Sequence, residues 1–397
     1  MASRIPGNFV SSWLRVSHLS SGLIAVLVGY TSSVAIVFQA AWAAGATDAQ
    51  LASWMWALGL GMGLTCIALS LVWRAPILTA WSTPGAALLA TSLGDLGMAQ
   101  AVGVFVASSL LITLAGITGG FQKIMDWVPG PLASAMLAGV LLRFGMDLFV
   151  SMQGRPLLVL VMFAVFLLAR RVLPRYAVPL ALLAGILIVL AHDDLALAAL
   201  DWTPARPVWM APDFSFSALI GVAVPLFIVT MTSQNVPGLA VLRANGYAWV
   251  PASPLITVTG ATGLVLAPLG GFSFNLAAIT AAICMSPDAD PDATQRYRAA
   301  VWAGVFYVLT GIFGATVVAL FAAFPIELVA AIAGLALLGT LGSSLHGALL
   351  DPSLREAAMV TFLATASGMT LWGIGSAFWG LVLGALCLKV QAAARRT

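Results

Sequence analysis

The chain has 397 residues, 61% of them hydrophobic and only 8% charged, with a mean hydropathy of +1.04. That composition excludes a soluble globular domain, and apolar runs recurring from residue 19 to residue 390 leave no stretch for a separate soluble one. A net charge of +3 would point to nucleic acid in a soluble protein, but the basic residues here sit in short loops, where their role is topological and no nucleic-acid partner is expected.

With Pro, Gly and charge as punctuation, hydropathy predicts membrane segments at 19–44, 51–73, 77–94, 100–120, 131–150, 156–171 and 177–192. Seven more follow at 215–242, 250–267, 269–286, 298–321, 326–346, 355–371 and 373–390. Arg4 and Arg15 ahead of a run ending Ala41-Trp42-Ala43 imitate a signal peptide. The run is too long for one and has a partner in the second half, so no cleavage is expected. An even number of segments places both termini on one side. With that side cytoplasmic, fourteen of the seventeen basic residues lie inside, all but Arg143, Arg155 and Arg206, the positive-inside bias of a multi-pass bacterial-type inner-membrane protein.

Seven segments per half oblige the second half to enter from the opposite face, the condition for inverted repeats, here 1–201 and 202–397. Gln39 in segment 1 matches Gln234 in segment 8 at an offset of 195 (234 − 39). Ala75-Pro76 ahead of segment 3 matches Ala267-Pro268 ahead of segment 10, and Pro129 and Pro325 open segments 5 and 12. The expected fold is therefore an all-α membrane protein of fourteen transmembrane segments in two inverted seven-segment repeats.

Segments 3 and 10 depart from the smooth helical pattern. Each begins with an irregular stretch, Pro76 to Gly85 and Pro268 to Asn275, and too few residues remain for two complete crossings. Each reads as a short strand plus a half-helix starting mid-membrane, with Ser82 or Thr83 as N-cap, Pro84 at the first helical position, and Asn275 capping the second. Unpaired backbone at that depth is tolerated only around a protein-lined cavity, and two half-helix N-termini meeting there would attract an anion. The alternative is two complete helices kinked by Pro and Gly.

Segments 1 and 8 add polar side chains at membrane depth: Tyr30, Thr31, Ser32, Ser33 and Gln39, then Thr230, Thr232, Ser233, Gln234 and Asn235. They are candidates for a polar shell around the site, with interhelical hydrogen bonding as the alternative. Trp81, Phe272 and Phe274 flank the half-helix starts, where they would stack on a planar ring or simply pack. Asp48, Asp95, Asp193, Asp194, Asp201 and Asp213 read as external loop charge, and Asp288, Asp290 and Asp292 as internal loop charge. Arg143 and Asp147, one turn apart, read as a local pair. Glu327 and His346, near the two ends of segment 12, are candidates for proton coupling, against ordinary interface placement. Cys66, Cys284 and Cys387 lie in apolar runs and read as small core residues; no metal or cofactor is expected.

The stretch Gly270-Gly271-Phe272-Ser273-Phe274-Asn275-Leu276-Ala277-Ala278-Ile279-Thr280-Ala281-Ala282-Ile283-Cys284, followed by an acidic loop and Arg296-Tyr297, resembles the signature of the benzoate:proton symporter (BenE-type) family. Length, segment pattern and Pro129-Gly130-Pro131 ahead of segment 5 are similar too, so the resemblance covers essentially the whole chain. More distantly, the plan resembles the uracil permease and sulfate permease fold. That likeness implies a core domain of 18–120 with 214–321, a gate domain of 129–196 with 325–391, homodimerisation through the gate helices and an elevator movement of the core. The nucleobase permeases carry glutamates where this chain has Gln234 and Phe274, a change that removes repulsion of a carboxylate substrate.

The expected function is proton-coupled uptake of benzoate or a close aromatic carboxylate from the lipid bilayer's outer side. Thr83, Pro84, Gly85, Asn275, Leu276 and Ala277 would hold the carboxylate at the half-helix tips, Pro84 lacking an N–H. Trp81, Phe272 and Phe274 would pack the ring, with Ser273 and Tyr30 beside them, and Gln39, Gln234 and Asn235 would complete the polar shell. A nucleobase or inorganic-anion permease on the same fold, or an anion channel, are the alternatives. An intramembrane enzyme finds no support, since no nucleophile–base pair or metal-ligand spacing falls at membrane depth.

Overall fold

The computed structural model describes residues 13–94, 96–119, 129–192, 203–372 and 374–394. Asp95, Asp193, Asp194, Asp201, Arg4, Lys123, Arg395 and Arg396 lie outside the described residues.

The helices follow the predicted segments. In the first half they are α1 Val16–Ala43, α2 Asp48–Trp73, α3 Thr83–Ser92, α4 Met98–Ile117, α5 Gly130–Gly154, α6 Pro156–Val172 and α7 Ala177–Ala191. In the second half they are α8 Phe216–Ala244, α9 Ala252–Leu266, α10 Ile279–Met285, the bent α11 of Tyr297–Ile312 plus Gly314–Ala322, α12 Ile326–Leu349, α13 Arg355–Ala366 and α14 Ser376–Ala394. Among the described residues seven helices, eight with α11, are long and apolar enough to cross a membrane. Two strands, β1 Thr79–Trp81 and β2 Phe274–Leu276, precede α3 and α10. Their separation of 195 (274 − 79) is the offset that relates Gln39 to Gln234.

Local chemistry sets the helix ends. Thr47 and Gln50 form a reciprocal capping box that starts α2. Pro129 and Pro325 stand at the N-caps of α5 and α12, where a missing N–H costs nothing. Two π turns interrupt α8, at Leu219–Ala223 and Met231–Asn235, each followed by a proline, Pro225 and Pro237. Proline withholds the N–H that the carbonyl one turn earlier would accept, and the widened turn absorbs the mismatch. Segment 11 departs from its expectation of one straight helix: it bends by 65° at Phe313. Segment 13 ends its helix at Ala366, short of the expected 371.

In the packing, α5 lies along α12 and α13, α6 along α7, and α13 along α14. Separately, α2 and α1 pack on α11, α4 on α9, and α1 on α3 and α10. The α2–α11 contact is backbone to backbone, because Gly59 meets Gly311 and Gly63 meets Gly304, where any Cβ would overlap the facing helix.

Candidate functional site

The two halves meet at an antiparallel pair of strands, with Thr79 opposite Leu276, Ala80 opposite Asn275 and Trp81 opposite Phe274. The ladder is extended by Ser82 N–H donating to the Ser273 carbonyl (3.1 Å) and Ala277 N–H donating to the Leu78 carbonyl (2.9 Å). All these residues are buried or nearly so, and the pairing satisfies backbone that no lipid could. Ser273 adopts the left-handed region, φ 43°, to turn the chain into β2.

The helix α3 starts as expected of the sequence: Ser82 is its N-cap, its Oγ accepting from Gly85 N–H at 3.0 Å, with Pro84 in the first turn. The cap consumes the Gly85 N–H, so Gly85 is no donor to a ligand. Thr83 keeps both its N–H and its hydroxyl without a protein partner among the described residues, and it faces a cavity.

The expectation for Asn275 is corrected. It lies within β2, and α10 begins four residues later with Ala278 at its N-cap. The strand pairing runs on through Ala277, which delays the helix. Leu276 N–H donates to the Asn235 side chain at 3.0 Å and Ala277 N–H to Leu78, so neither is available to a carboxylate. The residues of this stretch that line the cavity are Ala277, Ala278, Ile279 and Thr280.

The cavity has a volume of about 380 Å³. Gly29, Ser32 and Ser33 of α1 line one side, with Trp81, Thr83 and Pro84 at the β1–α3 junction. Ser233, Gln234 and Pro237 of α8 and Tyr307 of α11 add to it, and α7 and α12 close it through Val178, Pro179, Thr340 and Ser343. Among the described residues, none that lines it is charged. The second π turn of α8 is what aims Ser233 and Gln234 inward. The Gln234 amide makes no hydrogen bond to the described protein, whereas Ser233 donates back to the Val229 carbonyl. Trp81 is fixed by its indole N–H donating to Ser33 Oγ (2.9 Å) and by the Tyr30 ring packed edge-on at 4.9 Å.

Several predicted residues support the site from behind rather than lining it. Tyr30 is buried behind Trp81. Phe272 packs between Trp54 and Phe105, and Phe274 sits against Gly61, Gly263 and Gly271. Ser273 and Asn275 are buried, the Asn275 amide donating to the Ser273 carbonyl. Asn235 is fully buried and holds β2. Gln39 lies elsewhere, in a cavity with Arg143 and Asp147. Glu327 pairs with Arg155 at 3.5 Å and His346 is exposed, both away from the cavity. Tyr307, Thr280, Val178, Pro179, Thr340 and Ser343 were not singled out by the sequence; the only local signal was the three-residue spacing of Thr340 and Ser343 on one helix face.

Replacing Asn235 by Leu is expected to lower stability by about 1–3 kcal/mol, because it leaves the buried Leu276 N–H unsatisfied. Thr232→Ala, which loses only a hydroxyl bonded one turn back along its own helix, serves as the neutral comparison in a thermal unfolding assay. Equal midpoints for the two variants would sink the assignment.

A second polar knot lies at the end of the bundle where α1 begins. Asp290 is not the solvated loop charge that sequence suggests: it is 1% exposed, and its carboxylate accepts from Arg15 (2.9 Å), from the Asp292 N–H (2.9 Å) and pairs with His18 Nε2 (2.8 Å). Arg296 caps α10 by donating to the Met285 carbonyl and binds the Asp290 carbonyl. The first turn of α1 and the C-terminal end of α10, two helices that line the cavity, are thereby tied together. Burial alone would raise the Asp290 carboxyl, but the Asp292 N–H, His18 and Arg15 outweigh it and hold it below the ordinary 3.8. A carboxyl depressed in the folded state stabilises above its ordinary value and loses that contribution as pH falls through the lower folded one. The native chain is therefore expected to lose thermal stability on acidification through that range, and Asp290→Asn to start lower and lose less. Parallel melting curves against pH would contradict this.

Over residues 12–390 the sequence matches the family described as "Benzoate membrane transport protein". The chain belongs to the benzoate membrane transport family. Within reach of that family, it is 52% identical over 372 residues to "Inner membrane protein YdcO" of Escherichia coli (strain K12), covering 94% of this chain and 95% of that protein. It is 40% identical over 371 residues to "Benzoate membrane transport protein" of Acinetobacter baylyi (strain ATCC 33305 / BD413 / ADP1), covering 94% of each. Among solved structures it resembles SLC26A9 (TM-score 0.65, 12% identity, 96% of this chain and 65% of that one), so it spans about two thirds of that protein's length. It also resembles the transmembrane domain of the cyanobacterial bicarbonate transporter BicA (TM-score 0.55, 13% identity, 95% and 97% covered). At such identities these likenesses speak for the fold, which is the inverted-repeat arrangement of membrane segments expected of the sequence. The family is one of membrane transporters, not of enzymes, and the chain is a multi-pass membrane transporter.

Proposed function

We propose that this chain is a secondary active transporter that takes up benzoate or a closely related aromatic carboxylate together with a proton, by alternating access. The observation that carries the reading is the uncharged cavity of about 380 Å³ at the tip of α3, within the roughly 300–1,000 Å³ usual for small-molecule sites. Its chemistry is amphipathic in the way an aromatic acid is. The Thr83 N–H and hydroxyl at the positive end of α3, with the Gln234 amide opposite, receive the carboxylate. Trp81 and Tyr307 offer ring faces and edges to the aromatic part. The lack of acidic residues among the described lining removes repulsion, and the 40% identity to a benzoate transport protein supports the same substrate class.

The packing supports a core of 18–120 with 214–321 moving as an elevator against a gate of 129–196 with 325–391, since α1–α4 pack with α8–α11 and α5–α7 with α12–α14. Its lining includes the start of α7 and the middle and later turns of α12, toward the side where α1 begins, which supports access from that side. With both termini cytoplasmic in an inner membrane, that is an inward-facing arrangement. Homodimerisation is assigned to the gate helices.

The test is uptake of labelled benzoate into proteoliposomes under an imposed proton gradient. Accumulation above equilibrium supports the reading and separates it from a channel. Accumulation of bicarbonate or sulfate, with benzoate neither carried nor competing, would replace it with an inorganic-anion permease.

A further inference from the structure

A second cavity, of about 260 Å³, lies toward the opposite face of the molecule. Gln39 and Trp42 of α1 and Thr91 of α3 form one wall, and Arg143, Phe144 and Asp147 of α5 form the other. Four of its residues, Gln39, Trp42, Phe144 and Asp147, are the repeat mates of residues that line the central cavity, Gln234, Pro237, Thr340 and Ser343. Gln39 stands at the offset of 195 from Gln234, the same offset that relates the two strands. Phe144 and Asp147 stand as far along α5 from its N-cap Pro129 as Thr340 and Ser343 stand along α12 from its N-cap Pro325. Gln234, Thr340 and Ser343 all line the central cavity. One pair of helix faces thus encloses a space on each side of the bundle, the larger on the side where α1 begins.

In an inverted-repeat transporter each face is used in turn, so residues lining one vestibule mark their mates as lining the other. The two mouths differ in which element carries their charge. Arg143 and Asp147 stand on α5 itself, whereas their mates on α12, Gly339 and Ser343, are uncharged, and the guanidinium nearest Gly339 is that of Arg170 on α6, 3.7 Å from where a Cβ at Gly339 would lie. Arg143 is 73% exposed and its Nε lies 3.9 Å from the Asp147 carboxylate, beyond hydrogen-bond range, so its donors remain open to a second carboxylate.

We infer that the Gln39–Arg143–Asp147 cavity is the external vestibule for the substrate anion and that Arg143 is its recruiting cation. This rests on the carboxylate-transport reading above. Arg143, the cation on the wall of this cavity, raises the local concentration of anions at its mouth. Asp147 moderates the attraction and keeps the site from trapping its anion.

Uptake kinetics measured from each side of oriented vesicles test the assignment. Arg143→Gln is expected to raise the external KM for benzoate roughly fivefold, an effect that shrinks at high salt, with the internal KM unchanged. Arg143→Lys should stay near the native value, and Asp147→Asn should lower the external KM. Equal changes on both sides, or none, would overturn the inference while leaving benzoate transport by the native chain intact. Should the native chain carry another anion instead, the same series is run with that anion. A transport-free arm uses a membrane-impermeant thiol reagent: Asp147→Cys should react from the face opposite the termini and Ser343→Cys from the termini face, and reaction of both from one face would also overturn it.

Discussion

Gln234→Glu is expected to abolish benzoate uptake at neutral pH while the protein still folds. The side chain lies on the second π turn of α8, lines the cavity, and has no hydrogen bond that the change would break. A carboxylate there would face the substrate's own. At about 6 Å separation and an effective dielectric near 20, two like charges repel by about 3 kcal/mol, roughly a hundredfold in affinity. The α3 terminus offsets little of this, because its Gly85 N–H is already bound to Ser82. Uptake should recover partly as pH falls and the new carboxyl takes a proton. Native uptake by Gln234→Glu at neutral pH, with an unchanged melting temperature, would remove Gln234 from the site and weaken the carboxylate reading.

Gly270→Val is expected to have the largest structural effect, preventing accumulation of folded protein. Gly270 has φ +94°, a region that side chains with a Cβ avoid, and a Cβ there would overlap the Trp54 indole. Trp54 cannot retreat: it is fully buried, with Phe105 at 5.1 Å and Phe272 at 5.7 Å between ring centroids. Backbone strain and overpacking together exceed about 3 kcal/mol. Gly342→Ala is the contrast, since a Cβ at that exposed position of α12 meets nothing and helix propensity favours Ala by about 1 kcal/mol. Expression followed by size-exclusion and thermal unfolding reads both. A well-folded Gly270→Val would mean that the turn before β2 is not set as described.

The parts legible in the sequence are those governed by local rules. Pro129 and Pro325 announced two helix starts, Ser82 and Pro84 announced a third, and the breaks in segments 3 and 10 announced the crossing of two half-helices. Asn275 misled because a good capping residue in the right place is also a good strand residue when a partner waits 195 positions away, and nothing local reports that partner. The aromatic residues misled for a related reason. Trp81 is held at the cavity by Ser33 and Tyr30, whereas Phe272 packs between Trp54 and Phe105 and Phe274 against Gly61, Gly263 and Gly271, a division set by neighbours distant in the sequence. Asp290 and His18 are 272 positions apart, and a buried ion pair between them leaves no trace in hydropathy. Gln39 and Gln234 are recognisable as mates in the sequence, but that they line separate cavities follows only from the three-dimensional arrangement.

The pairing of β1 with β2 also bears on synthesis. Trp81 leaves the ribosome 195 residues before Leu276 (276 − 81), about 10–40 s earlier at roughly 5–20 residues per second. Throughout that interval the N–H and C=O groups of Thr79–Trp81 have no strand to bind, and lipid cannot serve them. The third segment must therefore wait in a hydrated setting until the tenth is made, so membrane insertion proceeds out of chain order, and pulse-labelling with timed protease protection of residues 76–92 would reveal the delay.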